Sequence, residues 1–466
     1  MADSPWLNQT ARARLWMLLV IGLPLLLLAI YVGVIYGLRH WRACPPACRE
    51  GNFAGQQLAG VDWAGADLRH ANLAGANFAG ANLQQADLYF ANLQRTNLQG
   101  AMMQGATLQG AYLEGAQLQQ ARLQNANLRG ARLSNAQLQG TILRGADLTG
   151  ATLEGANWQG AVVDATTQLS EKWRTVWAVV NEPRPGRALA GLDLRGANLA
   201  QANLQQADLR NTALAQADLR GADLTDAQLT GSDLHQALVD ETTKLAPKWR
   251  LVWQLLMVNR VGQTLGAADL AGANLAGVFL RKADLHGADL TGVRLTDADL
   301  HEANLRQANL HAADLTEATL RGADLQDADL TGANLTSVDL SLAALHGAQV
   351  DEATQISAYW RRVWTLANQG AVGQTLTAID LSWTNLQRVS FAGATLAQSN
   401  FTHALLQESD FANANLRGAD FSHADLRGAD LRGADLTNAQ FTGALVENLR
   451  LAGAHLDGVV GLDKQD

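Results

Sequence analysis

Carboxylates and imidazoles recur at spacings of twenty or forty residues in this chain, and a regular coil could bring them together. Asp269, Asp289 and Asp329 form one such series, and three aligned carboxylates would present negative charge to a basic partner. His403 and His423 form another, and two adjacent imidazoles could bind a metal ion. The alternative for the histidines is that both are solvated outward positions. The sequence therefore predicts neither a metal ion nor any other cofactor.

Three segments combine tryptophan with basic residues at helical spacing. In each segment two tryptophans lie four residues apart with a valine between them, which places all three on one side of an α-helix. Lysine or arginine lies on the other side, so each segment predicts a short amphipathic helix. Either the tryptophans cover the end of a folded block, or they form a basic-aromatic patch for an acidic partner. They are Trp173 and Trp177, Trp249 and Trp253, and Trp360 and Trp364.

Residues with the spacing of a catalytic centre are missing from the sequence. It contains no phosphate-binding glycine loop, no nucleophile elbow and no His-Glu-x-x-His metal motif. The glycines recur at a period of five, which indicates corners, and the acidic residues follow the same regular pattern. Catalysis needs groups that converge in a concave site. The sequence thus predicts that the protein is not an enzyme.

The elements that must position these residues follow from a period of five. A leucine or phenylalanine recurs every fifth residue with a small residue two positions earlier, as in Ala66-Asp67-Leu68. Residues five apart would spiral around an α-helix and would alternate between the faces of a flat strand. If the chain instead turns a corner every five residues, both apolar positions point inward and four sides close a coil of twenty residues. Coils stacked at about 4.8 Å then form a solenoid.

This Ala-(Asp/Asn)-Leu-x-x pattern resembles the pentapeptide repeat family. The resemblance implies an all-β solenoid, a right-handed quadrilateral β-helix. Three related segments that begin at Val163, Val239 and Val350 interrupt the period, so we expect four solenoid blocks separated by three short α-helical inserts. The predicted domains are an N-terminal tail (1–14), a transmembrane helix (15–38), a juxtamembrane linker (39–51), solenoid block 1 (52–163), insert 1 (164–188), block 2 (189–239), insert 2 (240–264), block 3 (265–350), insert 3 (351–375), block 4 (376–458) and a C-terminal tail (459–466).

An uncharged apolar stretch at residues 15–38 predicts the single membrane anchor, since about 20 apolar residues span a bilayer. The expected location is the bacterial inner membrane, and the arginines that flank the stretch favour a cytoplasmic repeat domain. Gly33 and Gly37 have the spacing that lets two spans pack as a homodimer, although small residues are common in membrane helices. Cys44 and Cys48 form a disulfide in an oxidising compartment or remain as free or lipid-modified thiols.

The predicted function is a membrane-anchored, non-catalytic scaffold for protein–protein interaction, with a partner that the sequence does not identify. A formal net charge of −9 argues against a nucleic-acid partner. Residues 265–350 contain twelve acidic and five basic residues, which serve either as a docking face for a basic partner or for solubility. The alternative function is a DNA mimic, because some pentapeptide repeat proteins bind and protect type II DNA topoisomerases through an acidic surface.

Overall fold

The computed structural model describes residues 48–462. Within the solenoid, each five-residue side is an extended stretch centred on one residue that pairs in parallel with the residue twenty positions later, as Asp269 does with Asp289. The paired ladders cover residues 52–168, 188–244, 264–355 and 375–460. Four sides close each coil, so the chain forms a four-sided β-helix, as the period of five predicted.

Each corner is a β-turn that the five-residue motif encodes locally. The carbonyl of Leu68 accepts a hydrogen bond from the amide of Ala71 at 3.0 Å, which closes a turn through Arg69 and His70. His70 has a φ of 57°, whereas Arg69 keeps a negative φ. A positive φ at the second central residue alone defines a type II turn, and this requirement explains why glycine is frequent there.

The core consists of alternating small and large residues inside each coil. Ala323 and Leu325 of one side are both fully buried, and the same holds for nearly every matching pair along the chain. In the last block phenylalanine replaces some of the leucines. The rings of Phe401 and Phe421 stack at 4.8 Å, and those of Phe421 and Phe441 stack at 5.0 Å. The twenty-residue spacing of these three phenylalanines therefore does place them in one buried column.

The first three ladders continue five residues beyond the predicted ends of their blocks. The last pair of the first ladder joins Asp147 to Gln168, a spacing of twenty-one residues, because its final side contains one extra residue. A Val-Asp-x-x-Thr turn accommodates this residue. The Thr167 hydroxyl donates to the carbonyl of Leu143 at 3.0 Å and accepts the amide of Asp164 at 3.1 Å. The spacing of leucines alone did not reveal this last side.

Three helices lie in the three inserts. Helix α1 spans Glu171–Asn181, α2 spans Pro247–Met257 and α3 spans Ala358–Gln369. Pro247 begins α2, where a missing backbone donor costs nothing. Ser357 caps α3 by accepting the amide of Trp360 at 3.2 Å, whereas the Ser170 side chain makes no capping bond to α1. Helical spacing of tryptophan and valine therefore located all three helices.

The described chain divides into two compact units. The first contains residues 48–183 and 196–199, with the first ladder and α1. The second contains residues 184–195 and 200–462, with the later ladders, α2 and α3.

The prediction of a single-pass location in the bacterial inner membrane is corrected by the structure. Across residues 48–462, no helix is both long enough and apolar enough to cross a bilayer. The three helices have 11 or 12 residues, whereas a span needs about 20. The predicted tail at 1–14, the apolar stretch at 15–38, Gly33 and Gly37 lie outside the described residues, as does Cys44. Cys48 is disulfide-bonded.

Candidate interaction surface

The second tryptophan of each insert binds the backbone of the block that precedes its helix. The Trp177 Nε1 donates to the carbonyl of Ala161 at 2.7 Å. Trp253 and Trp364 make the same bond to Ala237 and Ala348, at 2.8 and 2.7 Å. These carbonyls belong to the last coil of each block, and no backbone amide of a following coil among the described residues binds them. The helices therefore cover the ends of the first three blocks, as one of the two sequence interpretations expected.

In the first two inserts the first tryptophan lies deeper than the second. Trp173 and Trp249 are 5% and 8% exposed, and Trp360 is half-buried. Trp177, Trp253 and Trp364 are also half-buried, so each leaves part of its indole accessible. A further role of the six tryptophans in binding a partner stays a prediction.

The arginines that were expected on the outer side of the helices point instead at the solenoid. Arg174 donates to the carbonyl of Thr167 at 2.6 Å, and Arg250 donates to that of Thr243 at 2.6 Å. Arg361 repeats the bond to Thr354 at 2.7 Å. These guanidinium groups satisfy backbone acceptors that no following coil could reach, since an α-helix occupies its place. They thus hold the helices in position.

Two of the three inserts use an asparagine to complete the cover. Asn368, near the end of α3, donates to the carbonyls of Leu345 and Trp364 at 3.0 and 2.8 Å and accepts the amide of Gly347 at 2.6 Å. Asn181 makes the matching bonds in insert 1. Insert 2 has Met257 at this position, 45% exposed. The sequence analysis missed these asparagines, although an alignment of the three inserts reveals them four residues after the second tryptophan.

The carboxylates of Asp269, Asp289 and Asp329 lie on one side of the third block. Asp269 and Asp289 are in adjacent coils, and Asn309 occupies the coil between Asp289 and Asp329. Each binds the backbone amide two residues later through one oxygen, at 3.1, 3.0 and 2.9 Å. This bond fixes the orientation of the side chain and leaves the second oxygen available. The sequence had predicted the alignment but not the bonds to the turns.

Arginine neutralises aspartates at the same turn position in other blocks. In Asp-Leu-Arg segments the guanidinium folds back onto the carboxylate two residues earlier, as Arg210 does with Asp208 at 2.7 Å. Its hydrogen bonds lower the pKa of Asp208 to about 2. The same pairing joins Arg432 to Asp430. Most such arginines are more than half exposed, so the pairs contribute little to stability. They do cancel local charge.

The Asp269, Asp289 and Asp329 row has no such arginine partner among the described residues. Thr291 lies two residues after Asp289. The hydroxyl and the amide of Thr291 donate to the Asp289 carboxylate and hold its pKa below the ordinary value without neutralising its charge. Only Asp269 meets a cation, the Lys248 ammonium of α2 at 2.6 Å. The row therefore retains most of its negative charge.

The two histidines stack as their spacing predicted, within a longer outward column. The rings of His403 and His423 are 5.0 Å apart and nearly parallel. Trp383 stacks on His403 at 4.1 Å, and the Arg321 guanidinium lies 4.7 Å above the Trp383 ring. No group of three or more potential metal ligands occurs within residues 48–462. The sequence analysis missed Trp383, although it lies twenty residues before His403. It missed Arg321 because insert 3 separates Arg321 from Trp383 in sequence.

Acid is expected to loosen the insert turns. Asp164 and Asp240 accept hydrogen bonds from Thr166 and Thr242, which lower both pKa values from 3.8 to about 2. A lowered pKa stabilises the fold above the unfolded value, so this contribution is complete above pH 3.8 and is lost as the pH falls towards about 2. Urea unfolding followed by tryptophan fluorescence across this range measures it. Replacing both aspartates with asparagine should flatten the pH dependence, and an unchanged profile would contradict this assignment.

Comparisons with known proteins place the repeats in context. A family model described as "Pentapeptide repeats" matches in eight copies at residues 52–85, 81–120, 111–150, 188–213, 197–236, 265–301, 294–332 and 320–354, more than half of the chain. A model described as "Pentapeptide repeat region" matches residues 384–460. A search of curated proteins finds no match.

Several solved structures are similar to the chain. A pentapeptide repeat protein from the thylakoid lumen of Arabidopsis thaliana is 38% identical, with 20% of this chain and 72% of that chain covered and a TM-score of 0.14. HetL from the cyanobacterium Nostoc, involved in heterocyst differentiation regulation, is 20% identical, with 90% and 95% covered and a TM-score of 0.13. QnrB1, a plasmid-mediated fluoroquinolone resistance protein, is 14% identical, with 68% and 96% covered and a TM-score of 0.18.

Proposed function

Because the chain belongs to the pentapeptide repeat family, we propose that it is a non-catalytic scaffold that binds a basic protein segment along the row Asp269, Asp289 and Asp329. One observation carries the proposal: within residues 48–462, these aligned carboxylates lack the arginine partners that neutralise Asp208 and Asp430 at the matching position of other blocks. Accessible carboxylates without arginine partners, repeated on a rigid surface, favour recognition of a chain with repeated positive charges.

The geometry of the row supports binding of an extended segment. Successive coils are about 4.8 Å apart, so carboxylates recur at intervals that lysine or arginine side chains can match. The bonds from the turn amides already fix the three aspartates, which reduces the entropy lost when a partner binds. Asn309 offers an amide in the intervening coil. Lys248 already occupies Asp269, so we expect Asp289 and Asp329 to contribute most.

The surrounding charge supports the same partner. Residues 265–350 contain twelve acidic and five basic residues, and this excess attracts cations over a longer range than the contacts themselves. Such attraction raises the rate of association and weakens with salt.

The test is binding of a fluorescent oligolysine peptide to the full chain, measured by anisotropy at low and at high salt. The double variant Asp289→Asn with Asp329→Asn keeps the oxygens that bind the turn amides but removes two charges, and we expect about tenfold weaker binding. The matched control, Asp208→Asn with Asp430→Asn, removes the same charge at positions paired with arginine and should change binding little. Equal weakening by both double variants would mean that net charge alone attracts the peptide.

The alternative function, a DNA mimic that protects a type II topoisomerase, requires a continuous negative surface. The arginine pairs at Asp208 and Asp430 interrupt such a surface outside the third block. A supercoiling assay with DNA gyrase, with and without a fluoroquinolone, separates the two functions. A scaffold for other partners leaves supercoiling unchanged, whereas protection or inhibition at micromolar concentration would favour the DNA mimic.

A further inference from the structure

Exposed apolar side chains concentrate at insert 2. Leu238, Met257, Val258 and Val261 are 46%, 45%, 37% and 59% exposed, and they make up a large share of the exposed large apolar residues of the described chain. We refer to Leu238, Trp253, Met257, Val258 and Val261 together as the Met257 patch. It lies within the second of the two units.

Trp253 connects the members of the patch. Its Nε1 donates to the carbonyl of Ala237, the residue directly before Leu238, at 2.8 Å. Met257 follows Trp253 by four residues, which places both side chains on the same face of α2. Val258 ends the helix, and Val261 follows in the loop. The half-buried indole is therefore bonded to the backbone next to Leu238 and shares a helix face with Met257.

In the other two inserts, a polar residue near the C-terminal end of the helix binds the backbone of the preceding block. Asn181 and Asn368 bind the carbonyls of Trp158 and Leu345, and accept the amides of Gly160 and Gly347. Met257 can form none of these bonds, and its exposure shows that it gains little burial in return. Glu182 and Gln369 stand where insert 2 has Val258. Insert 2 therefore has two apolar residues, Met257 and Val258, where the other inserts have two polar ones, and the exposure of both shows no gain in packing.

Basic residues border the patch on its loop side. Arg260 lies between Val258 and Val261, is exposed and makes no ion pair with the described residues. The amide of Gly262 binds the carbonyl of Arg281 at 2.9 Å, which brings Arg281 and Lys282 next to the same loop. Lys282 pairs with Glu302 at 3.1 Å, and Arg281 lies 3.9 Å from Asp299, at the limit of an ion pair. The unpaired positive charge beside the apolar surface therefore rests mainly on Arg260, in a chain whose net charge is −9.

We propose that the Met257 patch docks an amphipathic acidic segment of another protein, with its apolar side chains on Leu238, Trp253 and Met257 and its carboxylates towards Arg260. Methionine suits such a surface because its flexible side chain adapts to different partners. Aromatic and methionine side chains are enriched at protein interfaces, and the basic rim selects partners of negative charge. This surface uses other residues than the row of aspartates, and its proposed partner has the opposite charge.

The test uses two designed amphipathic helical peptides of equal length, one with leucine and glutamate and the other with leucine and lysine. Fluorescence anisotropy measures their binding to the full chain at physiological salt. The lysine peptide can bind the row of aspartates, so its binding should not depend on the Met257 patch. We expect saturable binding of the glutamate peptide at the patch. The variant Met257→Asn with Val258→Glu introduces the residues of insert 1 and should weaken that binding at least tenfold. Its thermal stability should not fall, because the asparagine can form the bonds seen in the other inserts.

Asn368→Met in insert 3 is the matched control. It should lower thermal stability, because three hydrogen bonds are lost, and leave peptide binding at insert 2 unchanged. Equal weakening of both peptides by the Met257 variant, or equal binding of the glutamate peptide to the wild type and to that variant, would overturn the proposal. So would a loss of stability in the Met257 variant, since Met257 would then serve packing. Self-association of the wild type in sedimentation without peptide binding would identify a second copy as the occupant and also overturn it.

Discussion

Replacing Leu325 with lysine is expected to unfold the third block. Leu325 is fully buried, and its neighbours in the adjacent coils, Leu305 and Leu345, are 0% and 2% exposed. A lysine there would have no acidic partner inside the coil, and burial of an unpaired charge is among the few changes that cost more than about 4 kcal/mol. Because coils contact only their neighbours, we expect the loss to centre on the third block.

Hydrogen exchange of the full chain, followed by mass spectrometry, measures this loss locally. Amides of residues 264–355 should lose protection in Leu325→Lys, while the first ladder at 52–168 keeps its protection. Glu317→Lys introduces the same side chain at an exposed corner of the same block and should change stability by less than about 0.5 kcal/mol. If Leu325→Lys were as protected as Glu317→Lys, position 325 would not lie inside a closed coil.

Replacing Phe421 with alanine is expected to lower the free energy of unfolding by about 3–5 kcal/mol. Phe421 is fully buried between the rings of Phe401 and Phe441, at 4.8 and 5.0 Å, and meets Phe411 edge-on at 5.9 Å. Alanine would leave a cavity that rigid neighbouring coils cannot close, and it would remove three aromatic contacts.

Phe421→Leu is the control, because leucine fills this position in most coils of the chain. It should cost much less than the alanine variant, since the leucine side chain fills most of the space. Urea unfolding of the two variants, followed by circular dichroism, gives the comparison. Equal destabilisation would mean that the aromatic stack itself, rather than the filled volume, stabilises the block.

The fold was predictable because the turn and the core positions of each five-residue unit are determined by residues within that unit. The turn through Arg69 and His70 closes with a bond between Leu68 and Ala71, three residues apart. The alternation of alanine and leucine fills the coil without help from distant segments. The Phe401, Phe421 and Phe441 column followed directly from a spacing of twenty. The helices followed from tryptophan spacing, although the pattern did not reveal that Arg174, Arg250 and Arg361 would turn inward.

The location was not correctly predicted. It was read from residues 15–38, whereas the helices of residues 48–462 are short amphipathic elements that cover block ends and do not span a bilayer. The candidate surface was predictable only in part. The alignment of Asp269, Asp289 and Asp329 followed from the period, but their lack of arginine partners became meaningful only beside the pairs at Asp208 and Asp430.

The sequence by itself determined the coil, its corners and its core, because those interactions join residues three, five or twenty positions apart. The tertiary structure decided what happens where an insert interrupts that spacing. The amide of Leu342 binds the carbonyl of Trp383 at 2.7 Å across forty-one residues, and Arg321 reaches Trp383 on the far side of insert 3. An insert changes the offset between coils, and the repeat contains no information about the new offset. The side chains that meet there are fixed only by packing of the helix against the blocks.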